Sequence, residues 1–148
     1  MQGNVLIAGN VQGTVLVLAE PLSLWGGLNP ETGEIIDRRH PQAGQIVTGR
    51  VLVLPSGRGS SSASSILLEA VRQNKAPAAI ITAETDGILA LGAAVARELY
   101  NQTVPVLVLG QTDYAQLKSG QWVEIEENGR IHIENNRTQI HTDNADKE

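Results

Sequence analysis

Hydrophobic residues in the first half of the chain form short runs rich in β-branched side chains. The runs at 5–7 and 14–19 are separated by glycine and asparagine, a pattern that predicts two strands. Residues 20–44 show little periodicity and contain a turn signal around Asn29-Pro30. The apolar run 46–54 then predicts a longer strand, in which Gly49 marks a bend or bulge.

The second half alternates between helical and strand periodicity. Apolar residues at Ile66, Leu67, Ala70 and Val71 lie on one face of a helix, whereas Gly92 weakens the helical pattern in which it lies. The patterns predict helices over 64–74, 87–99 and 112–118, the last capped by Thr112, and strands over 78–82, 104–109, 121–126 and 130–134.

This order of elements indicates an α/β fold with three layers, two of strands and one of helices. Strands come first, two strand–helix units follow, and a hairpin around Asn128-Gly129 closes the pattern. We therefore expect one domain over residues 1–134. Residues 135–148 contain one large apolar side chain, Ile140, and are predicted to form a disordered acidic polar tail.

Composition narrows the classes of function. The 148 residues carry a net charge of −5, so a nucleic-acid-binding surface is not expected. The chain has no cysteine and can by itself supply neither a disulfide nor cysteine ligands for an iron–sulfur cluster. With no long apolar run and no secretory leader pattern, the sequence predicts a cytoplasmic protein without membrane contacts.

The segment 54–65, with the sequence LPSGRGSSSASS, carries the candidate chemistry. It joins a predicted strand to a predicted helix, so its backbone N–H groups and the positive helix end converge on one point. Gly57 and Gly59 allow a ligand to approach the backbone closely, and Arg58 adds a positive charge. The serines at 60–65 supply short hydroxyls. This arrangement is suited to a carboxylate or a phosphate.

Plainer interpretations exist for the same residues. Composition alone favours a flexible loop, with a serine near Ser64 as the helix N-cap. For His40, His132 and His141 a surface role is favoured over catalysis. Trp25 precedes two glycines, and we expect its ring to plug one end of the strand layers.

Several blocks of sequence together carry a resemblance to a known family. They are EPLSLWGG at 20–27, NPETGEIID at 29–37, HP at 40–41, LPSGRGS at 54–60, APAAII at 76–81 and ILALG at 88–92. With these blocks, residues 3–125 resemble the small, swivel-domain subunit of the aconitase-X dehydratases. The resemblance implies an aconitase-like swivelling β/β/α domain and a larger partner subunit with an iron or iron–sulfur centre.

The resemblance also implies roles for individual residues. Ser60 matches the serine that acts as the general base in aconitase swivel domains, and Arg58, Gly59, Ser61 and Ser62 are the candidate substrate-binding residues. This chain departs from the family pattern at Ser61, where cysteine is common, and at 62–63, where Thr-Gly is common. No residue of this chain is assigned to a metal. The family substrates are cis-3-hydroxy-L-proline and mevalonate 5-phosphate, and the many Gln and Asn residues weakly favour the first.

The chemistry of dehydration is consistent with these residues. A serine is a weak base unless its alkoxide is stabilised, which the helix end, the loop N–H groups and Arg58 would do. The leaving hydroxyl requires a metal that this cysteine-free chain cannot hold as a cluster, which again indicates a partner. Two other functions remain open: a non-catalytic module that grips an anion or phosphate, and a scaffold protein whose serine-rich segment is a linker.

Overall fold

The computed structural model describes residues 1–57 and 62–134, which form nine strands and four helices. The strands are β1 (Asn4–Ile7), β2 (Val11–Val17), β3 (Leu28–Asn29), β4 (Glu34–Ile35), β5 (Val51–Leu54), β6 (Ala79–Thr82), β7 (Val106–Val108), β8 (Trp122–Ile125) and β9 (Ile131–Glu134). The helices are α1 (Leu24–Gly27), α2 (Ser62–Arg72), α3 (Gly87–Tyr100) and α4 (Gln111–Tyr114). Within the described residues, no helix is long and apolar enough to cross a membrane.

Seven strands form one curled sheet in the order β1-β7-β6-β5-β2-β8-β9. Strands β2, β5, β6 and β7 run parallel, whereas β1, β8 and β9 pair antiparallel. The sheet turns at β2, whose first half pairs with β8 and whose second half pairs with β5. The two edges then meet, because Gln2 bridges Arg130 and the Gly3 N–H donates to the Gly129 carbonyl at 2.8 Å.

Successive side chains of the parallel strands face opposite sides of the sheet and so divide the interior into two hydrophobic cores. In β5, Val51 and Val53 point into the curl of the sheet, where they meet the hairpin strands β8 and β9. Leu52 and Leu54 point the other way, toward the buried faces of α2 and α3. Because successive side chains of a strand face opposite sides, one buried strand serves both cores. The predicted three-layer α/β architecture is confirmed.

Several of the predicted elements differ in extent. The strand predicted over 14–19 is β2 at Val11–Val17, and the one predicted over 104–109 is β7 at Val106–Val108. The strand predicted over 46–54 begins at Val51, because Gly49 adopts φ +73° in a turn and donates its N–H to the Ala76 carbonyl at 3.1 Å. The helix predicted over 112–118 is the single turn α4, which follows Gly110 and has no side-chain cap, so the predicted Thr112 cap is wrong. The hairpin predicted at Asn128-Gly129 is present, with Gly129 at φ +91°.

Gly92 lies inside α3 without interrupting it. A Cβ at this position would be 2.9 Å from the Ser64 carbonyl oxygen of α2, closer than real contacts allow. The glycine therefore permits the two helices to pack closely, which offsets its low helix propensity. The predicted tail at 135–148 lies outside the described residues.

Candidate functional site

The serine-rich segment connects the carboxyl end of β5 to α2. In open α/β sheets, ligands bind at the carboxyl ends of parallel strands, and this segment occupies that edge. Of the five residues selected from the sequence, Ser62 is described: it is the half-buried first residue of α2. The other four, Arg58, Gly59, Ser60 and Ser61, lie outside the described residues.

The segment is anchored where it leaves the sheet. Gly57 forms a parallel bridge with Leu22 and donates its N–H to Asp86 Oδ2 at 3.1 Å. A Cβ on residue 57 would collide with that carboxylate, so the close approach requires glycine. Where the chain enters α2, Ala63 and Leu67 are buried in the core. Fixed elements therefore hold the chain on both sides of residues 58–61.

Asp86 is a site residue that the sequence analysis missed. Its Oδ1 accepts the N–H groups of Ile88 and Leu89, both at 3.0 Å, and so caps α3, while its Oδ2 accepts the Gly57 N–H. One carboxylate thus joins the start of the serine-rich segment to the start of α3. An aspartate directly before a helical pattern is a standard capping signal and could have revealed the first of these roles.

The charge around α2 differs between its two ends. Residues 55–65 contain no acid, and their one charged side chain is Arg58. At the far end of α2, Arg72 Nε donates to Glu69 Oε1 at 2.9 Å, and this hydrogen bond lowers the pKa of the Glu69 carboxyl to about 2. The positive end of the α2 dipole thus faces the serine-rich segment, where the sequence supplies a cation and no acid.

The Trp25 segment lies beside this edge, but the prediction that its ring plugs the strand layers is wrong. The bridge between Leu22 and Gly57 brings α1 next to the serine-rich segment. Leu22 and Leu24 enter the core, whereas Trp25 is 60% exposed. Its backbone is not helical and is followed by Gly26 at φ +81°, a left-handed turn that directs the chain, and not the indole, back to the core.

The three histidines have separate surroundings. The surface position expected for His40 is wrong, because the residue is 5% exposed. The Gln42 N–H donates to its Nδ1 and its Nε2 lies 3.0 Å from the Glu20 carbonyl, so the ring is neutral with its proton on Nε2. His132 is exposed beside the Glu126 carboxylate, as expected for a surface residue. His141 lies outside the described residues.

The described residues of this chain do not form a site that fits an iron centre. The sequence has no cysteine. Within residues 1–57 and 62–134, no group of three or more histidine, aspartate or glutamate side chains is placed to hold a metal ion. A cluster needs thiolates, and a non-haem iron needs a set of imidazole and carboxylate ligands.

The chain is similar to known proteins along most of its length. Residues 1–133 match the family model described as aconitase X swivel domain. A cis-3-hydroxy-L-proline dehydratase of Pseudomonas aeruginosa is 43% identical over 128 residues, which cover 86% of this chain and 22% of that protein. The chain thus spans about a fifth of that relative's length.

Two further relatives match along nearly their whole length. The phosphomevalonate dehydratase small subunit of Thermococcus kodakarensis is 33% identical over 134 residues, or 90% of this chain and 95% of that one. A crystal structure of Thermococcus kodakaraensis aconitase X in its holo-form has a chain that superposes with a TM-score of 0.80 at 34% identity, covering 90% of this chain and 96% of that chain.

Proposed function

The chain belongs to the aconitase X swivel domain family, and from this membership we propose that it is the small subunit of a dehydratase. The match to a phosphomevalonate dehydratase small subunit over 95% of its length is the observation that carries the proposal. In the Pseudomonas relative the same domain makes up about a fifth of the protein. We infer that a separate large subunit supplies the remainder here.

Ser60 is proposed as the general base of the reaction. As the alkoxide, its oxygen would take the proton from the carbon next to the substrate carboxylate. The C–H bond breaks, its electron pair forms the C=C bond, and the hydroxyl on the neighbouring carbon leaves as hydroxide. Transfer of the abstracted proton from the Ser60 hydroxyl to this hydroxide gives water and restores the alkoxide. The N–H groups at the start of α2 and the guanidinium of Arg58 would stabilise the alkoxide, which is otherwise too basic to exist at neutral pH.

Neighbouring residues are proposed to hold the substrate rather than to react with it. Gly59 would let a carboxylate approach the backbone, and the hydroxyls of Ser61 and Ser62 would donate hydrogen bonds to it. Because the chain has no cysteine and its described residues bring no three metal-ligating side chains together, the centre expected in the family is assigned to the large subunit, and no step above is derived through it.

Two substrates are candidates. The higher identity to cis-3-hydroxy-L-proline dehydratase favours that imino acid. The length match to phosphomevalonate dehydratase small subunits favours mevalonate 5-phosphate instead. A non-catalytic swivel module that grips an anion remains the alternative function, because glycine, serine and arginine at a strand–helix junction would also bind phosphate without reaction.

Reconstitution tests the proposal directly. The chain, the large subunit and their mixture are each assayed with both substrates by the appearance of the dehydrated product. We expect turnover of one substrate by the mixture and none by this chain alone. Turnover by a metal-free preparation of this chain alone would contradict the two-subunit assignment. Full activity of the mixture with Ser60→Ala would favour the non-catalytic alternative.

A further inference from the structure

A polar cleft lies beside the serine-rich segment, separate from the residues assigned above. Its volume is about 420 Å³, and its lining comes from two stretches of chain: Glu20, Pro21, Asp37, Arg38, Arg39 and His40. This volume is in the range of small-molecule sites, which begin at about 300 Å³.

The two walls of the cleft are tied together by the buried ring of His40. Its Nε2–H donates to the Glu20 carbonyl in one wall, and its Nδ1 accepts the Gln42 N–H behind the other. The side-chain oxygen of Gln42 also accepts the Ala19 N–H at 2.8 Å. Because both ring nitrogens are used in this framework, the cleft is formed before any ligand arrives.

Arg38 and Arg39 lie on a turn that is held by two hydrogen bonds. Asp37 Oδ1 accepts the Arg39 N–H at 3.0 Å, and the Asp37 carbonyl accepts the His40 N–H at 3.0 Å. Arg38 and Arg39 are exposed, and within the described part of the chain their guanidinium groups form no hydrogen bond or ion pair. Two adjacent guanidinium groups without partners are the chemistry that recognises an oxyanion in a bidentate manner.

The cleft opens next to the proposed catalytic segment. Pro21 directly precedes Leu22, which bridges Gly57, the last described residue before Arg58. One Cα–Cα step of 3.8 Å and one interstrand spacing of about 4.8 Å put Pro21 within about 9 Å of Gly57. The Pro21 wall of the cleft therefore lies close to the point where the chain enters the serine-rich segment.

We propose that this cleft binds the phosphate of a phosphorylated substrate through Arg38 and Arg39, because the substrate carboxylate lies next to the reacting carbon and is assigned above to the serine-rich segment. The inference rests on the proposed dehydratase function and adds a binding subsite to it. Glu20 and Asp37 balance the two arginines in charge, so recognition depends on the geometry of the guanidinium forks rather than on net charge. Binding here would hold the substrate equally in the ground state and in the transition state.

The test is a double variant, Arg38→Ala/Arg39→Ala, assayed in the reconstituted complex at saturating subunit concentration. We expect KM to rise about tenfold or more with kcat changed less than about threefold, the signature of lost uniform binding. The double lysine variant should recover part of the affinity. Arg97→Ala, which removes an exposed arginine from α3, is the matched control and should leave KM unchanged.

Two probes test whether the oxyanion bound in the cleft is a phosphate. Inorganic phosphate and acetate are each tested as competitive inhibitors of the wild-type and double-variant complexes. The inference predicts that the double variant loses inhibition by phosphate and keeps any inhibition by acetate, and loss of inhibition by acetate alone overturns it. An unchanged KM, or a fall in kcat with KM constant, overturns the inference. So does a variant that only weakens binding of the large subunit, because the cleft is then a subunit contact.

A separate readout distinguishes failure of the inference from failure of the proposed function. The amide resonances of Arg38 and Arg39 are followed by NMR in the isolated chain as inorganic phosphate and acetate are added. Saturable shifts of these amides with phosphate and not with acetate support the cleft even if the reconstituted complex shows no turnover. Absence of shifts with both anions, together with an unchanged KM in an active complex, contradicts the cleft alone.

Discussion

Two of the loops that lead from parallel strands into helices differ in chemistry although they occupy equivalent places. Residues 55–61 follow β5 and lead into α2, and residues 83–86 follow β6 and lead into α3. The β6–α3 loop contains Glu84 and Asp86, and Asp86 caps its own helix. The β5–α2 loop contains no acid and brings glycines, serines and Arg58 to its helix.

The β6–α3 loop stabilises its own helix, whereas the β5–α2 loop offers groups suited to a ligand. We call the first the structural loop and the second the chemical loop. In the β6–α3 loop the positive helix end is neutralised by a carboxylate that belongs to the loop. The same carboxylate anchors Gly57, the last described residue of the neighbouring loop. The β5–α2 loop contains no carboxylate to neutralise its positive helix end, and its one charged residue is a cation, so an anion from outside is favoured there. The β6–α3 loop therefore supports the β5–α2 loop, which we propose to be catalytic.

The largest effect is expected from Ser60→Ala in the chemical loop. If its hydroxyl is the base, kcat in the reconstituted complex should fall by about 10²–10⁴-fold, as for other general bases, while KM changes little. Ser62→Ala is the matched control and should cost less, because its hydroxyl is proposed only to hold the substrate. Steady-state kinetics at saturating large subunit measure both parameters, and equal losses in the two variants would contradict the assignment.

Arg58→Lys is expected to have the next largest effect. An ammonium keeps the charge but cannot reproduce the planar fork of a guanidinium, so both kcat and KM should worsen, each by about tenfold. Arg50→Lys is a suitable control, since Arg50 is bonded to Gln45 away from this edge. Kinetics indistinguishable from wild type would show that the loop gains nothing specific from its arginine.

Asp86→Ala should lower the free energy of unfolding, because it removes the cap of α3 and the acceptor of the Gly57 N–H. Loss of the α3 cap costs about 1 kcal/mol, and the Gly57 N–H left without its acceptor costs about 1–3 kcal/mol more. Asp86→Asn keeps a capping oxygen and should cost less. Chemical denaturation of the isolated chain measures the free energy of unfolding. Equal stability of both variants and the wild type would mean that the carboxylate does not join the loops.

Two glycine substitutions in α3 test how closely α2 and α3 pack. Gly92→Ala would put a Cβ 2.9 Å from the Ser64 carbonyl oxygen, and we expect a loss of about 1–2 kcal/mol as the helices separate. Gly87→Ala meets no atom within 4 Å and should be neutral or stabilise the chain by up to about 1 kcal/mol. The same denaturation experiment compares them, and the opposite order of stabilities would contradict the close approach.

The smallest effect is expected at the far end of α2. Arg72→Ala should raise the pKa of Glu69 from about 2 toward its ordinary value of 4.5, as measured by NMR titration. Because the folded pKa is lowered, the pair's contribution to stability is present above pH 4.5 and is lost as the pH falls toward 2. At neutral pH the activity of the complex should not change, since both residues are exposed and distant from the loop.

Periodicity was sufficient to predict the layers of the fold but not the details that depend on contacts. The buried strands, α2, α3 and the Asn128-Gly129 hairpin follow from local patterns of apolar residues and turn chemistry. The start of β5 at Val51 does not, because it depends on Gly49 bonding to Ala76, which is distant in sequence. His40 is buried for the same reason, through its bond to Glu20.

The position of the candidate site stays a prediction from the sequence, whereas the residues that support it are seen only in the structure. The serine-rich segment stands out in the sequence, and the resemblance assigned the base within it. The carboxylate of Asp86 supports it from a loop 29 residues away, a relation that only the folded chain brings about. The exposure of Trp25 likewise depends on a left-handed Gly26, which apolar patterning does not encode.

The most direct test of the central claim is the rate of proton removal itself. Substrate carrying tritium on the carbon that loses its proton is turned over by complexes containing wild-type chain, Ser60→Ala or Ser61→Ala, and tritium released into water is counted. The account predicts that Ser60→Ala slows release by about 10²-fold or more, whereas Ser61→Ala stays within about tenfold of wild type. Wild-type release by Ser60→Ala, or its loss in Ser61→Ala instead, would contradict the account.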